Sequence, residues 1–411
     1  MKRKTKIFSF LLLTVIFIII QFNLIAKTSD NSFSFIAIGD TRPDVYLPYN
    51  KKTEEELLPI VKRAHLNWKH DIIYDKNDEL EKLVSTKGDI TQVVYYFKHY
   101  WPQHIVLYQK GKKSEQTYSS EGSKWVNKNV AKEMNSGEHS FIIHTGDFVF
   151  YGLQGNTLLT SPYWQRVQKE FLNKLQEPDK TFPVLGNHEF YQDPTNIGFR
   201  QTFPWLKKHG FTEKRRIYSF IYKNSQFVFL NSGPLTKKRV ETAWLSRHPG
   251  YKEQMRFLKE KLEAALKDSK IKHVFVTYHF PSFCIYGCDA LRKECNPHEL
   301  LKQYSDKLNI VVFNGHTHTT QQFYVDRINY VVLGDGGAPK TTQPAKHPST
   351  EAELFWRGKN RQLMYNYICI YIEGDSIRGE FKCFFPPDRL QVKQAFYLEL
   401  KVNNTFLSVE D

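Results

Sequence analysis

Six side chains that bind cations well stand just beyond short apolar runs: Asp40, Asp147, Asn187, His279, His316 and His318. The local pattern recurs. Ile38-Gly39-Asp40, Thr145-Gly146-Asp147, Leu185-Gly186-Asn187 and Asn314-Gly315-His316 each pass through a glycine before delivering a polar ligand. In an open α/β sheet, ligands bind beyond the carboxyl ends of the strands. Carboxylate, amide and imidazole donors together suit Mn, Fe, Zn or Co better than Mg or Ca. Two such cations about 3.5–4 Å apart can polarise a phosphoryl group and generate hydroxide at neutral pH. A carboxylate has two oxygens and can bridge the pair. His188, next to Asn187, is a residue type that donates protons to leaving groups. A single His or Asp at a strand end is more often a capped or turn residue. The weight lies in the number of these residues and their shared placement.

The elements that must position them follow from periodicity. The run 34–38 reads as the first strand and enters Asp40. The next matching strand, 140–144, arrives only after about a hundred residues, far more than one crossover helix needs. The last part of that gap, 124–134, has Trp125, Val126, Val130 and Met134 on one face and reads as the crossover helix. Before it, 54–65 and 78–84 read as helices, 90–96 and 104–107 as strands, and 109–122 as a polar loop. Residues 45–122 are therefore read as an inserted cap or subdomain, with a partly disordered surface excursion as the alternative.

After Asp147, a helix carries Trp164, Val167, Phe171 and Leu175, and the strand 181–185 delivers Asn187. Runs 217–221 and 226–230 form a hairpin. A helix with Met255, Leu258, Leu262 and Leu266 on its apolar face leads to strand 272–278 and His279. Residues 300–308 read as a helix and 310–313 as the strand before His316. Strands dominate afterwards, at 322–325, 330–333, 365–371 and 376–384. This order supports a mixed α/β chain around one core. The domain is read as 33–390, with a C-terminal extension over 391–411.

The chain carries 58 Lys and Arg against 43 Asp and Glu, a formal charge of +15. Such a surface attracts phosphate-rich or otherwise anionic partners, although a merely solvated lysine-rich exterior is the commoner explanation. Nothing in the pattern points to a specific nucleic acid. Lys2, Arg3, Lys4 and Lys6 precede an apolar run over 7–25, so residues 1–26 read as a secretory signal peptide or an uncleaved membrane anchor. The expected location is outside the cytosol: periplasmic, secreted, or held at the outer face of the cytoplasmic membrane. Of five cysteines, Cys284, Cys288 and Cys295 share one loop, where an exported protein could close a disulfide. Their spacing matches no zinc pattern. Cys369 and Cys383 sit in apolar strands.

These blocks resemble those of the calcineurin-like metallophosphoesterases. Gly39-Asp40 matches the first block, Gly146-Asp147 the second, Gly186-Asn187-His188-Glu189 the third, His279 the fourth, and Gly315-His316-Thr317-His318 the fifth. Gly334-Asp335-Gly336-Gly337 looks like a glycine-rich turn of the purple acid phosphatase branch. The resemblance implies a four-layer αββα sandwich of two mixed sheets packed face to face with helices outside. It implies two divalent or mixed-valence transition-metal ions, Mn, Fe or Zn. Asp147 would bridge them, with Asp40 and His318 on one and Asn187, His279 and His316 on the other. His188 would face the substrate as proton donor. The implied substrate is a small phosphoester, first a phosphomonoester. A diester of nucleotides or lipid headgroups is the enzymatic alternative, and a non-catalytic binder of polyanions or phospholipid the other.

Two departures stand out. Most of the superfamily has Asp-x-His in the first block, where this chain has Asp40-Thr41-Arg42. Arginine offers only donors and cannot ligate a cation. The purple acid phosphatases lack that histidine too, but they place a tyrosine three residues after the bridging aspartate. Here that position is Phe150, with Tyr151 one residue late. Arg42 beside a phosphate pocket suits a bidentate grip on substrate oxygens.

Overall fold

The structure is a computed structural model. It describes residues 31–42, five strands between 69 and 117, residues 121–149, 162–190, 193, 195–232, 249–288, 290–291, 293–338, 345, 347–349, 354–357, 365–384 and 395–399. The N-terminal apolar segment, the expected helix over 54–65, Phe150 and Tyr151 lie outside these. Among the described residues no helix is long and apolar enough to cross a membrane.

The first described strand is β1 (Ser32–Ile38). Five strands follow: β2 (Lys69–Tyr74), β3 (Leu80–Lys87), β4 (Ile90–Phe97), β5 (Tyr100–Gln109) and β6 (Lys112–Thr117). Helix α1 (Glu121–Asn135) leads to β7 (Ile142–His144), and α2 (Pro162–Glu170) to β8 (Thr181–Pro183). A short α3 (Ile197–Thr202) precedes the hairpin β9 (Tyr218–Tyr222) and β10 (Ser225–Phe229). Then come α4 (Pro249–Lys267), β11 (His273–Thr277), α5 (His298–Lys302) and β12 (Asn309–Asn314). The last strands are β13 (Thr320–Val325), β14 (Ile328–Leu333), β15 (Leu354–Arg357), β16 (Tyr365–Glu373), β17 (Ser376–Phe384) and β18 (Ala395–Glu399).

Two mixed sheets form the body. One has the order β18-β17-β16-β1-β7-β8, the other β15-β13-β14-β12-β11-β10-β9. β1, β7 and β8 run parallel, as do β10, β11, β12 and β14. All ligand-bearing loops thus leave from carboxyl ends of parallel strands. The sheets meet through phenylalanines. Phe35 of β1 lies 5.4 Å from Phe227 and 5.1 Å from Phe275, ring centre to ring centre. Phe141 lies 5.1 Å from Phe227, and Phe182 lies 4.3 Å from Phe220. These edge-on and tilted pairs are the geometries that aromatic quadrupoles favour. On the far side of the second sheet, Leu258 and Leu262 of α4 and Leu301 of α5 pack on Val228, Val274, Val276, Ile310 and Val312. Val126 and Val130 of α1 and Trp164 and Val167 of α2 join the core of the first sheet. This is the expected α/β arrangement of two face-to-face sheets with helices.

β2–β6 make a separate antiparallel sheet in consecutive order. Two expectations fail there. Residues 80–84 belong to strand β3, not to a helix, because Leu83, Val84 and their neighbours find a full-length partner in β4. The polar stretch after Gln109 is also not a loop throughout, since 112–117 pairs with β5. Elsewhere, the helix read over 300–308 is shorter and earlier, and turns fill its second half. Helix α2 stops at Glu170, and a 3-10 turn at Leu172–Lys174 carries the chain past Phe171 and Leu175, which stay buried. Leu266 of α4 faces solvent, while Phe257 and Ala265 join Leu258 and Leu262 inside.

Phe227 is fully buried and touches rings from both sheets. Phe227→Ala is expected to cost about 3–5 kcal/mol of unfolding free energy, read from the urea midpoint. A loss below about 1 kcal/mol would mean that the space between the sheets is loosely filled there.

Candidate metal centre

The six ligand-type residues named from sequence come together at one edge of the two sheets. Asp40, Asp147 and His318 offer atoms that all lie within 4.8 Å of one another. His318 Nε2 is 3.7 Å from Asp40 Oδ1. In the other half of the pocket, Asn187 Oδ1 is 2.9 Å from His279 Nε2 and 3.0 Å from His316 Nδ1. His279 Nε2 is also 3.4 Å from Asp147 Oδ1. Asp147 faces both halves.

The backbone is bent to achieve this. Asp40, Asp147, His316 and His318 all have left-handed φ values, between 51° and 72°. Such values are uncommon outside glycine and collect at functional sites. Two glycines give room. A Cβ on Gly186 would strike the Asp147 carboxylate, and one on Gly315 would strike that of Asp40.

Hydrogen bonds set the remaining orientation. Asp40 Oδ2 accepts from His316 N at 2.8 Å, and Asp147 Oδ1 accepts from His188 N at 3.1 Å. Asp40 Oδ1 and Asp147 Oδ2, both buried, have no hydrogen-bond partner. His279 Nδ1 donates to the Thr145 carbonyl at 2.8 Å. Its Nε2 therefore presents a lone pair to the amide oxygen of Asn187 and the carboxylate of Asp147. Acceptors turned on one another in a buried site fit a cation, so the donor set matches the expected metal chemistry.

Glu189 does more than its place in the third block suggests. Its fully buried carboxylate accepts from the backbone N–H groups of Gly186 at 2.6 Å, Asp147 at 3.0 Å and Phe148 at 2.6 Å. It ties the second block to the third. His144 is the residue that pattern reading missed. Its Nδ1 accepts from Gly146 N at 3.1 Å, so Nε2 donates to Thr41 Oγ1 at 2.8 Å and joins the first block to the second. Its signal was present, as a histidine ending an apolar strand, but it points along the loops and not into the pocket. Asp335 stays a turn residue, accepting from Thr320 Oγ1 at 2.9 Å. His298, in the segment after His279, is buried and bonded to Tyr330 and Asp326.

Electrostatics follow from burial. Burial and the nearby Asp147 raise Asp40 well above the carboxylate range. Burial raises Asp147 to about 7, against the pull of Arg42. Burial and Asp147 raise Glu189 to about 8. Burial lowers His279 to about 3, and burial with His279 lowers His316 well below its ordinary value. A metal ion takes neutral imidazoles and deprotonated carboxylates, so binding here would release the protons that burial favours on Asp40 and Asp147.

Arg42 is nearly buried, with its guanidinium spanning two histidines. Nη1 donates to His188 Nδ1 and Nη2 to His318 Nε2, both at 3.1 Å. Because arginine only donates, His188 Nδ1 must be the acceptor, and neutral His188 carries its proton on Nε2. That atom is 3.8 Å from Asp147 Oδ2, on the pocket side. A second group of ligand-type residues, Glu133, His139 and Cys369, lies under α1. There Lys382 Nζ sits 3.9 Å from Glu133 Oε1 and 2.9 Å from Glu380 Oε1, so the negative charge already has a counter-ion.

Residues 99–320 match the family model described as calcineurin-like phosphoesterase. The chain belongs to that family. As a calcineurin-like phosphoesterase it is a metallophosphoesterase, a hydrolase of phosphoric esters. A comparison with curated protein sequences finds no match. Several solved structures align with the chain. GAP50, the anchor in the inner membrane complex of Plasmodium, aligns with TM-score 0.50 and 12% identity over 91% of this chain and 90% of its own. A dimetal phosphatase from Danio rerio aligns at 0.48 and 11% identity over 90% and 99% of the two chains. The purple acid phosphatase PPD1 of yellow lupin aligns at 0.45 and 13% identity over 80% and 74%.

Two outcomes test this geometry. Above about pH 6.5, where imidazoles are neutral in both states, the raised carboxyls leave the folded chain with more protons than the unfolded one, whereas at lower pH the lowered His144, His279 and His316 offset them. Stability of the metal-stripped phosphoesterase should therefore fall as pH rises from about 6.5 to about 8, and added Mn or Zn should restore most at the upper end. Thermal melts in chelator over that range check it, and a flat profile would contradict it. Glu189→Gln turns a donor toward backbone N–H groups and should cost about 2–4 kcal/mol, with lower metal retention. Unchanged metal content would remove Glu189 from the support of Asp147.

Proposed function

We propose that this phosphoesterase is an exported, metal-dependent phosphomonoesterase whose centre draws on two metal positions sharing Asp147. Asp40 and His318 complete one position, and Asn187, His279 and His316 complete the other. The observation that carries the reading is the convergence of unpaired Asp40 and Asp147 oxygens with lone-pair-bearing histidines at one sheet edge. Bound there, transition-metal ions supply Lewis-acid charge and lower the pKa of water. The protein's own groups do the rest. His188 holds a proton on Nε2, toward the pocket, and passes it to the departing alkoxide oxygen, a role worth roughly 10²–10⁴-fold. Arg42 offers a fixed cation for the non-bridging phosphoryl oxygens. Glu189 and His144 hold the three Asp- and Asn-bearing loops in register. The cationic surface and the arginine favour a dianionic monoester over a monoanionic diester. Export rests on the basic start and apolar run of residues 1–26. A polyanion binder would have no use for a proton aimed into the pocket, which weighs against the non-catalytic alternative.

His188→Ala should keep its metal but lose about 10²-fold or more in kcat on an alkyl phosphate, and far less on nitrophenyl phosphate, whose leaving group needs no proton. Equal losses on both would remove the proton-donor role. Faster turnover of bis(nitrophenyl) phosphate than of the monoester would replace the monoesterase reading with the diesterase one.

A further inference from the structure

The two halves of the centre differ in one respect that their ligand types do not reveal. A ring nitrogen has one lone pair. His279 Nε2 turns its lone pair toward the amide oxygen of Asn187 and the carboxylate of Asp147, which are acceptors. His318 Nε2 turns its lone pair toward Arg42 Nη2, a donor, at 3.1 Å. A metal ion on His318 must displace that hydrogen bond. It must also enter beside a guanidinium that never loses its charge. Arg42 cannot drift away at little cost, because its fork is tied to His188 as well and is almost fully enclosed. Its neighbour Thr41 is held by His144 and by Ser123 of α1. In the other half, His279 Nε2 and His316 Nδ1 lie against the Asn187 amide oxygen, at 2.9 and 3.0 Å.

We propose that the centre is asymmetric: one ion is resident at Asp147–Asn187–His279–His316, and the ion at Asp40–His318 is exchangeable because Arg42 contests it. Arg42 is then a positioning residue that makes hydrolysis follow the free concentration of the second ion. The inference rests on the phosphoesterase reading of this site and names its regulation.

Metal binding reads it without any assay of turnover. After desalting, the wild-type chain should retain about one Mn or Zn ion, with a second binding about 100-fold more weakly by calorimetry. His316→Ala should lose the resident ion, and His318→Ala should keep it. Arg42→Met, which keeps length but removes charge and donors, should tighten the second ion by about 10–100-fold. Circular-dichroism melts confirm that each variant is folded. Two equally tight ions in the wild-type chain would overturn the proposal, and that result needs no variant. So would loss of the resident ion in His318→Ala with retention in His316→Ala, or a second ion unmoved by Arg42→Met in a folded protein. The two readings fail separately. The asymmetric pattern without hydrolysis of any ester would defeat the hydrolase reading and leave the asymmetry. Two tight ions with full hydrolysis would do the reverse.

Discussion

Within the pocket, oxygen and nitrogen lone pairs face each other across about 3 Å with no hydrogen between them. Buried acceptors repel at that range, and removing carboxylates from water adds to the cost. The rest of the fold can be understood as what it takes to hold such groups together. Four ligand-type residues adopt left-handed backbone, a conformation that persists only when the surroundings leave no alternative. Parallel strands from two sheets supply the surroundings. Each strand fixes where its loop begins, and the hydrogen bonds of Glu189 and His144 fix where the loops go next.

The aromatic layer between the sheets has a related purpose. The pocket spans both: Asp40, Asp147 and Asn187 follow strands of one sheet, and His279 and His316 follow strands of the other. Any slip of one sheet against the other would separate Asn187 from the histidines. Phe35, Phe141 and Phe182 packed on Phe220, Phe227 and Phe275 oppose that slip over a broad contact. Flat rings fill space with few rotamers, so they rigidify more per unit area than flexible aliphatic chains.

This division explains what was legible in the amino-acid sequence. Asp40, Asp147, Asn187 and the histidines announce themselves because a glycine and a polar group end an apolar run, a purely local signal. The strands β1, β7, β10, β11, β12 and β14 are legible for the same reason. β3 is not: Leu80–Lys87 holds charged residues at helical as well as alternating positions, and only its pairing with β4 decides. His144 and Glu189 have local patterns no different from ordinary strand-end and turn residues. Their roles come from contacts with Thr41, 103 residues away, and with Asp147, 42 residues away. Arg42 was visible as a departure from the expected histidine, but its hold on His188 and His318 depends on sequence separations of 146 and 276 residues.

That double hold has a chemical consequence for the proton donor itself. A histidine in a polar pocket can carry its proton on either nitrogen, and which one decides whether it can reach a leaving group. A carboxylate partner would pull the proton to the atom facing it. A guanidinium does the opposite: it occupies Nδ1 of His188 as donor and leaves the proton on Nε2. Arg42 therefore sets which ring nitrogen of His188 carries the proton, and it is the one aimed inward. One arginine thus orients the donor's proton while adding the positive charge that a phosphoryl group requires.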